Sequence, residues 1–394
     1  MIRTADRLDH IAPFYVMECA KAAQEIGRSA ACDPAVGGEP MIFLNIGEPD
    51  FTAAPAVIDA AQTCLQSGQT QYTQATGLAA LRERISTWYA SRFGLDIAPS
   101  RIVVTAGASA ALQLACLALF QEGDAVLMPD PSYPCNRHFV AAAGGRATLL
   151  PCGPEQRFQP SAAAVEHAWT ANTRGVLLAS PSNPTGTSIA PDVMADIVAA
   201  VRARRGVTIV DEIYLGLSYD ERFGQSVLAL GEDVISVNSF SKYFSMTGWR
   251  LGWIVLPPSL VPAIERLAQN LYICPSTLSQ HAALACFEPA SIAEYERRRN
   301  EFKHRRDGVV PALQSMGLPV PVMPDGAFYA WFDCSRYNKS SWDFCFDMMQ
   351  RAHVALTPGR DFGPHAAERF VRLSFARSME ELTQALARLR RELC

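Results

Sequence analysis

The segment DVISVNSFSKYFSMTGWRLGW, residues 233–253, reads as a strand, a polar loop and the start of a second strand, and its loop carries Lys242. Lysine is scarce in this chain: of the 35 Lys and Arg residues only Lys21, Lys242, Lys303 and Lys339 are lysines. A guanidinium keeps its proton in a protein, whereas a lysine amine can turn neutral and add to a carbonyl, so a lysine in a polar loop suits Schiff-base chemistry. Lys21 lies on the amphipathic MECAKAAQEI, Lys303 in the charge-dense EYERRRNEFKHRRD and Lys339 in the polar turn RYNKSS, all of which read as solvated faces. Lys242 is the anchor for any covalently held aldehyde; the competing reading is a surface lysine in a loop.

Outward from that loop, between about residues 100 and 260, short apolar runs alternate with longer helical patterns: RIVVT, DAVLMP, RATLL, RGVLLAS, GVTIVDE, DVISVNSF and LGWIVL. This alternation predicts α/β architecture, with βα units around a largely parallel sheet. The runs are apolar throughout, as strands covered by helices on both faces must be, and a ligand then sits beyond their carboxyl ends. After about residue 280 the pattern changes to long helical segments, the strands AFYAWFD and FVRLSFA, and a closing helix MEELTQALARLRREL. Three units are expected: an N-terminal segment (1–45) that joins a small C-terminal α/β domain (281–394), and a large domain (46–280). A helix over about 262–285 would bridge the two domains as a hinge.

The chain has 394 residues, 49% of them hydrophobic and 19% charged, with a net charge of −4, and so predicts an ordinary globular protein with ample core. Its charges are interspersed apart from short arginine-rich helical patches, which argues against a nucleic-acid or anionic-lipid partner. No apolar run approaches membrane-spanning length and the N-terminus has no apolar secretory core, so a cytoplasmic location is expected. Eleven cysteines stand singly, without a CxxC pair, and read as reduced core residues; seven histidines show no ligand spacing, so no metal is expected. The Asn338-Lys339-Ser340 acceptor triplet reads as chance without a secretory signal.

Four strand ends carry candidate chemistry. After RIVVT, Gly107, Ala108 and Ser109 place backbone N–H groups and a hydroxyl at a helix N-terminus, an arrangement that binds phosphate but is also a common small-residue turn. Asp211 closes a fully apolar strand, where a carboxylate needs a cationic or donating partner, structural or ligand. Were that ligand a pyridine, Asp211 would keep its ring nitrogen protonated and Tyr214 would donate to its ring hydroxyl. Asn183 stands between two prolines that present its amide rigidly, or caps a turn. Ser239 and Ser241 flank the loop before Lys242 and Arg250 follows it, together able to hold a phosphate dianion.

These stretches resemble the class I/II aminotransferases, pyridoxal-phosphate enzymes of fold type I. The resemblance runs over nearly the whole chain, through IAPFYVMECAKAA, NIGEPDF, YTQATGLAALR, AGASAAL, DPSYP, SPSNPTG, DEIYLGLSY, SFSKYFSMTGWRLGW, TPGRDFG and FVRLSFA. It implies a mostly parallel seven-stranded sheet sandwiched by helices, a smaller α/β domain and pyridoxal 5'-phosphate as cofactor. It implies that Lys242 forms the internal aldimine and then serves as base and acid of the 1,3-proton shift. Asp211 pairs with the pyridinium nitrogen, Asn183 and Tyr214 bind the ring oxygen, and Tyr133 stacks on the ring. Ala108, Ser109, Ser239, Ser241 and Arg250 match the phosphate cup, with Gly107 beside them as a further cofactor-binding candidate, and Tyr72 matches a tyrosine that reaches the neighbouring subunit's phosphate, which implies a homodimer with shared sites. Arg372 matches the arginine that grips the substrate's α-carboxylate, with Asn183 and the Gly47 backbone beside it.

The departures are informative. No second arginine is assigned to a side-chain carboxylate, and Cys274 stands where small polar residues are usual. The expected activity is amino transfer from an L-amino acid to a 2-oxo acid, such as 2-oxoglutarate, by ping-pong chemistry. The alternatives are a β-lyase of the same fold and a ligand-sensing regulator, which would need a basic DNA-binding segment that the first 45 residues do not offer. The side-chain pocket is expected to draw on the N-terminal segment, with Phe14 and Tyr15 as candidates.

Overall fold

The structure is a computed structural model that describes residues 2–13, 15–337 and 340–394. Phe14, Asn338 and Lys339, which figure in the expectations above, lie outside the described residues.

A short strand β1 (Ile42–Phe43) precedes the seven strands of the main sheet: β2 (Ile102–Thr105), β3 (Ala125–Asp130), β4 (Arg146–Pro151), β5 (Thr173–Ala179), β6 (Val207–Asp211), β7 (Ile235–Ser239) and β8 (Gly252–Val255). Later come β9 (Tyr329–Asp333), β10 (Val354–Ala355), β11 (Thr357–Pro358) and β12 (Phe370–Ser374). The main sheet runs in the order β2-β8-β7-β6-β5-β3-β4, and β8 alone runs against the direction of the other six strands. All seven apolar runs read from the sequence are therefore strands of one sheet, largely parallel as expected.

Within each strand consecutive residues enter different cores. Val104, Leu178, Val210 and Val255 join one buried cluster, while Val103, Leu177, Ile209 and Ile254 join the other. Side chains alternate across a sheet, so both parities must be apolar when both faces are covered. Each fully buried branched aliphatic side chain contributes about 1.5–3 kcal/mol through removal from water.

The parallel strands β2, β5, β6 and β7 end together at Thr105, Ala179, Asp211 and Ser239. Because β8 runs the other way, its first residue, Gly252, lies opposite both Thr105 and Ser239. The loop carrying Lys242 and Arg250 is thus held over that same edge of the sheet.

The expected bridge over 262–285 is two helices, Val261–Leu271 and Thr277–Leu284. Between them Ile273 takes φ +65°, a left-handed conformation foreign to a β-branched residue, and Pro275 can donate no helical hydrogen bond. Ser276 then caps the second helix by accepting from Ser279 N at 3.3 Å. The long helix that follows is the 27-residue Pro289–Ser315. Its buried Arg298 and Arg305 reach the Asp50–Thr52 segment, donating to Thr52 O at 2.5 Å and to Asp50 Oδ1 at 2.8 Å.

Strands β11, β12 and β9 form an antiparallel sheet that sets Arg372 opposite Trp331 and Thr357. The N-terminal helix Tyr15–Gly27 buries Val16, Cys19, Ala20 and Ala23, one stripe at helical spacing. Parallel pairing of β1 with β10 fixes residues 42–43, further along the chain from that helix, to residues 354–355.

Candidate active site

Beyond the carboxyl ends of the main sheet lies a cavity of about 460 Å³, and every expected site residue except Gly107 and Tyr72 lines it. Gly107 stands immediately behind, while Tyr72 is 79% exposed and away from the cavity.

Lys242 reaches the cavity from the loop after β7, where its Nζ donates to the Gly47 carbonyl at 2.7 Å. The amine lies 5.8 Å from the ring centres of Tyr214 and of Phe328. Burial pushes its pKa down to about 8; Arg372 and Arg250 act in the same direction, while Glu48 and Asp211 oppose it. A neutral, nucleophilic amine is thereby accessible near physiological pH.

Asp211, at the end of β6, is 4% exposed and accepts from Ile213 N at 3.1 Å. Burial raises its carboxyl to about 7, against the pull of the Ile213 N–H and of Lys242. Removal from water without a bonded cation is the physical cause, and a cationic ring nitrogen is the partner that would relieve it.

Arg372 enters from β12, only 3% exposed. Its Nη1 donates to Asn183 Oδ1 at 2.8 Å and its Nη2 to the Asn45 carbonyl at 2.6 Å, while the guanidinium lies over the Tyr329 ring at 4.6 Å and the Phe362 ring at 5.0 Å. Its Nε is buried with no partner among the described residues. A buried guanidinium donor left open calls for an acceptor, and a carboxylate matches the fork.

At the opposite end, helix Gly107–Leu119 points its N-terminus at Arg250. Gly107 has φ +83°, a conformation that favours glycine, and a Cβ there would stand 2.6 Å from Arg250 Nη2 and displace that guanidinium. Arg250 Nη1 donates to Thr247 O at 3.0 Å, and Ser239 Oγ donates to Leu251 O at 3.3 Å while accepting from Ser241 N at 3.0 Å. Helix N–H groups, two serines and a guanidinium converge there, a dianion's donor set. Tyr133, the residue before helix Pro134–Ala142, lines the wall between, and the Tyr214 hydroxyl is bonded to the Tyr329 hydroxyl at 2.7 Å.

This donor set fits pyridoxal 5'-phosphate: a phosphate cup at one end, a buried acid at another, an amine of lowered pKa between them. The fit rests on Asp211, whose buried carboxyl is raised by loss of water, on the open Nε of Arg372, and on Gly107, which brings the helix start against Arg250.

Several cavity residues carried no signal in the sequence. Tyr329 sits in AFYAWFD, where it reads as one core aromatic among several, yet it bonds Tyr214 and underlies Arg372. Glu48 accepts from Thr247 Oγ1 at 2.5 Å beside Lys242. The N-terminal segment does reach the cavity, but through Val16, Met17, Ala20 and Gln24. Tyr15 does not line it: its ring packs edge-on against Trp342, 6.1 Å away. The amphipathic phase of the helix, which turns Val16 and Ala20 inward, was the signal that could have corrected this.

Residues 39–389 match the family described as aminotransferase class I and II. The valine–pyruvate aminotransferase of Mycobacterium tuberculosis is 37% identical over 380 residues, covering 96% of each chain. The aspartate aminotransferase of Thermotoga maritima is 35% identical over 355 residues, covering 89% of this chain and 91% of that one. Among solved structures, an aminotransferase from Mycobacterium tuberculosis superposes with a TM-score of 0.94 at 37% identity, covering 100% of this chain and 99% of that one. The Thermus thermophilus aspartate aminotransferase with maleate gives a TM-score of 0.91 at 31% identity, over 99% and 100% of the two chains.

Proposed function

This chain belongs to the class I and II aminotransferases and works with pyridoxal 5'-phosphate, and on that premise we propose that it moves the amino group of L-amino acids with apolar side chains to a 2-oxo acid. One observation carries the choice of donor. The outer wall of the cavity is Val16, Met17, Ala20 and Ile46, with Gln24 as a neutral polar member, and the cavity's cations among the described residues are Lys242, Arg250 and Arg372, each with another task. A side-chain carboxylate would meet no unassigned counter-charge there, whereas an apolar side chain loses water against an apolar wall. The relative named valine–pyruvate aminotransferase supports the same reading. The acceptors to compare are 2-oxoglutarate and pyruvate.

Within this reading, Arg372 binds the α-carboxylate of either substrate through its fork, oriented by Asn183 and Asn45. Pyridoxal 5'-phosphate supplies, when bound, an electron-poor pyridine ring that takes up the electron pair left as the substrate's Cα–H bond breaks. Asp211 keeps the ring nitrogen protonated, and Asn183 and Tyr214 hydrogen-bond the ring oxygen, with Tyr329 orienting the Tyr214 hydroxyl. Tyr133 covers the ring face. Lys242 holds the cofactor at rest, then takes the α-proton at Nζ and returns it one position away. The phosphate rests on Ala108, Ser109, Ser239, Ser241 and Arg250, with Gly107 giving the backbone its approach.

The large unit, residues 46–280, holds the cofactor, and residues 1–45 with 281–394 form the smaller unit that brings Arg372 and the N-terminal wall. A second copy completes the site, with the exposed Tyr72 reaching its partner's phosphate cup, and the enzyme works in the cytosol, where its eleven free cysteines stay reduced. The test is to incubate the enzyme with single L-amino acids and each 2-oxo acid and to analyse the products. Leucine or valine should be converted in preference to aspartate, with stoichiometric amino-acid formation from the acceptor. Preference for aspartate would defeat the donor assignment, and pyruvate with ammonia formed without an acceptor would mark a β-lyase.

A further inference from the structure

We propose that Asp361 is a positioning residue for donor selection: its carboxylate fastens the first turn of helix Tyr15–Gly27, and so holds Val16, Met17 and Ala20 as the wall against which the donor side chain rests. The inference rests on the apolar-donor reading above. Asp361 ends the turn Gly359–Asp361 and is 1% exposed. One carboxylate oxygen accepts from Tyr15 N at 2.9 Å and the other from Val16 N at 2.5 Å. The two oxygens thus satisfy successive free N–H groups of the helix start, where a negative charge also meets the positive end of the helix dipole.

The tether is in turn braced. Arg137, from the helix that begins after Tyr133, donates its Nη2 to the Asp361 carbonyl at 2.7 Å. Asp361 is therefore fixed to the cavity's inner side while it holds the outer wall. Val16 takes part directly, because its N–H is one of the two tethered donors and its side chain lines the cavity. Burial raises the Asp361 carboxyl to about 6, while the two helix N–H groups, Arg372 and Arg137 pull it down, so the anion is the form at neutral pH.

Asp361 also feels the charge of Arg372, and the test must separate the two routes. A disturbed Arg372 would weaken every amino acid alike, since all share the α-carboxylate; a loosened wall weakens long apolar side chains and spares a methyl group. The experiment compares kcat/KM for L-leucine with kcat/KM for L-alanine in the wild-type holoenzyme, Asp361→Asn and Asp361→Ala. The leucine-to-alanine ratio should fall about tenfold in Asp361→Ala, about 1.4 kcal/mol, carried by KM and with kcat nearly kept. Asp361→Asn, which retains one acceptor oxygen, should fall between, which rescues the folding question if the alanine variant is unstable. Amide exchange of residues 15–20 should quicken in Asp361→Asn with no change around Lys242. A ratio unchanged within twofold in both variants, or exchange at residues 15–20 unaltered, would overturn the proposal. A wild type that does not prefer leucine to alanine overturns the donor reading itself, and the exchange measurement still judges the tether on its own.

Discussion

Replacing Arg372 by lysine keeps the positive charge and removes the fork. In the wild type two of the three guanidinium nitrogens are committed to Asn183 and Asn45, and Nε is open. A single ammonium on a flexible stem cannot hold both internal acceptors and also present two parallel N–H groups to a carboxylate. The variant should therefore lose one charge-assisted hydrogen bond to the substrate, worth about 1.5–3 kcal/mol, which converts to a fall of about 10- to 150-fold in kcat/KM. Since the missing bond is to the α-carboxylate, leucine and alanine should suffer equally. Steady-state assays with both donors read the loss, and the cofactor's visible absorption together with the melting midpoint verifies that the holoenzyme is intact. A kcat/KM within threefold of wild type, or a loss confined to leucine, would refute the assignment.

Further outcomes follow from the same cavity. The Lys242 amine titrates near 8 instead of its usual 10.5, so cofactor-free enzyme should take up pyridoxal 5'-phosphate faster as pH rises through 8 and level off above it; a rate independent of pH between about 7 and 9 would contradict the lowered pKa. Borohydride reduction followed by peptide mapping should place the label on Lys242 and nowhere else, and Lys242→Ala should neither fix the label nor turn over. Asp211 titrates near 7 in the folded chain against its usual 3.8, so the folded state holds the extra proton and this residue's effect on stability becomes more unfavourable as pH rises from about 4 to about 7. Asp211→Asn should accordingly raise the melting midpoint of the cofactor-free enzyme at pH 8, yet cut kcat by about 100-fold or more. Gly107→Ala forces a Cβ to 2.6 Å from Arg250 Nη2 and should weaken cofactor affinity at least about tenfold, a displacement of about 1.4 kcal/mol, measured by fluorescence titration.

What the sequence made legible was the part written in short range. Each main-sheet strand is a brief apolar run bounded by turn residues, and Asp211 and Lys242 break that apolarity at the strand ends, so fold class and inner cavity could be read residue by residue. The break at residues 272–276 is marked by Pro275, but the left-handed turn at Ile273 is not, because a β-branched residue gives no sign of that conformation. Tyr329 and Asp361 were hidden for another reason: an aromatic in an aromatic strand and an acid in a glycine-rich turn have no local oddity. Their partners lie 115 residues away for Tyr329 and 346 and 345 for Asp361. The reading of Tyr15 as a pocket residue failed on helical phase, since one step along the helix exchanges a wall residue for one packed on Trp342.

The tether between the first helix and Asp361 also orders events in time. A ribosome delivers Tyr15 and Val16 first, and their acceptor follows 346 and 345 residues later. Arg372, whose guanidinium must find Asn45, is made later still. The first helix therefore gains this tether only after the segment that carries Asp361, 345 residues beyond Val16, has been made. The wall that would choose the donor is thus set by two segments far apart in the chain, and neither can set it alone.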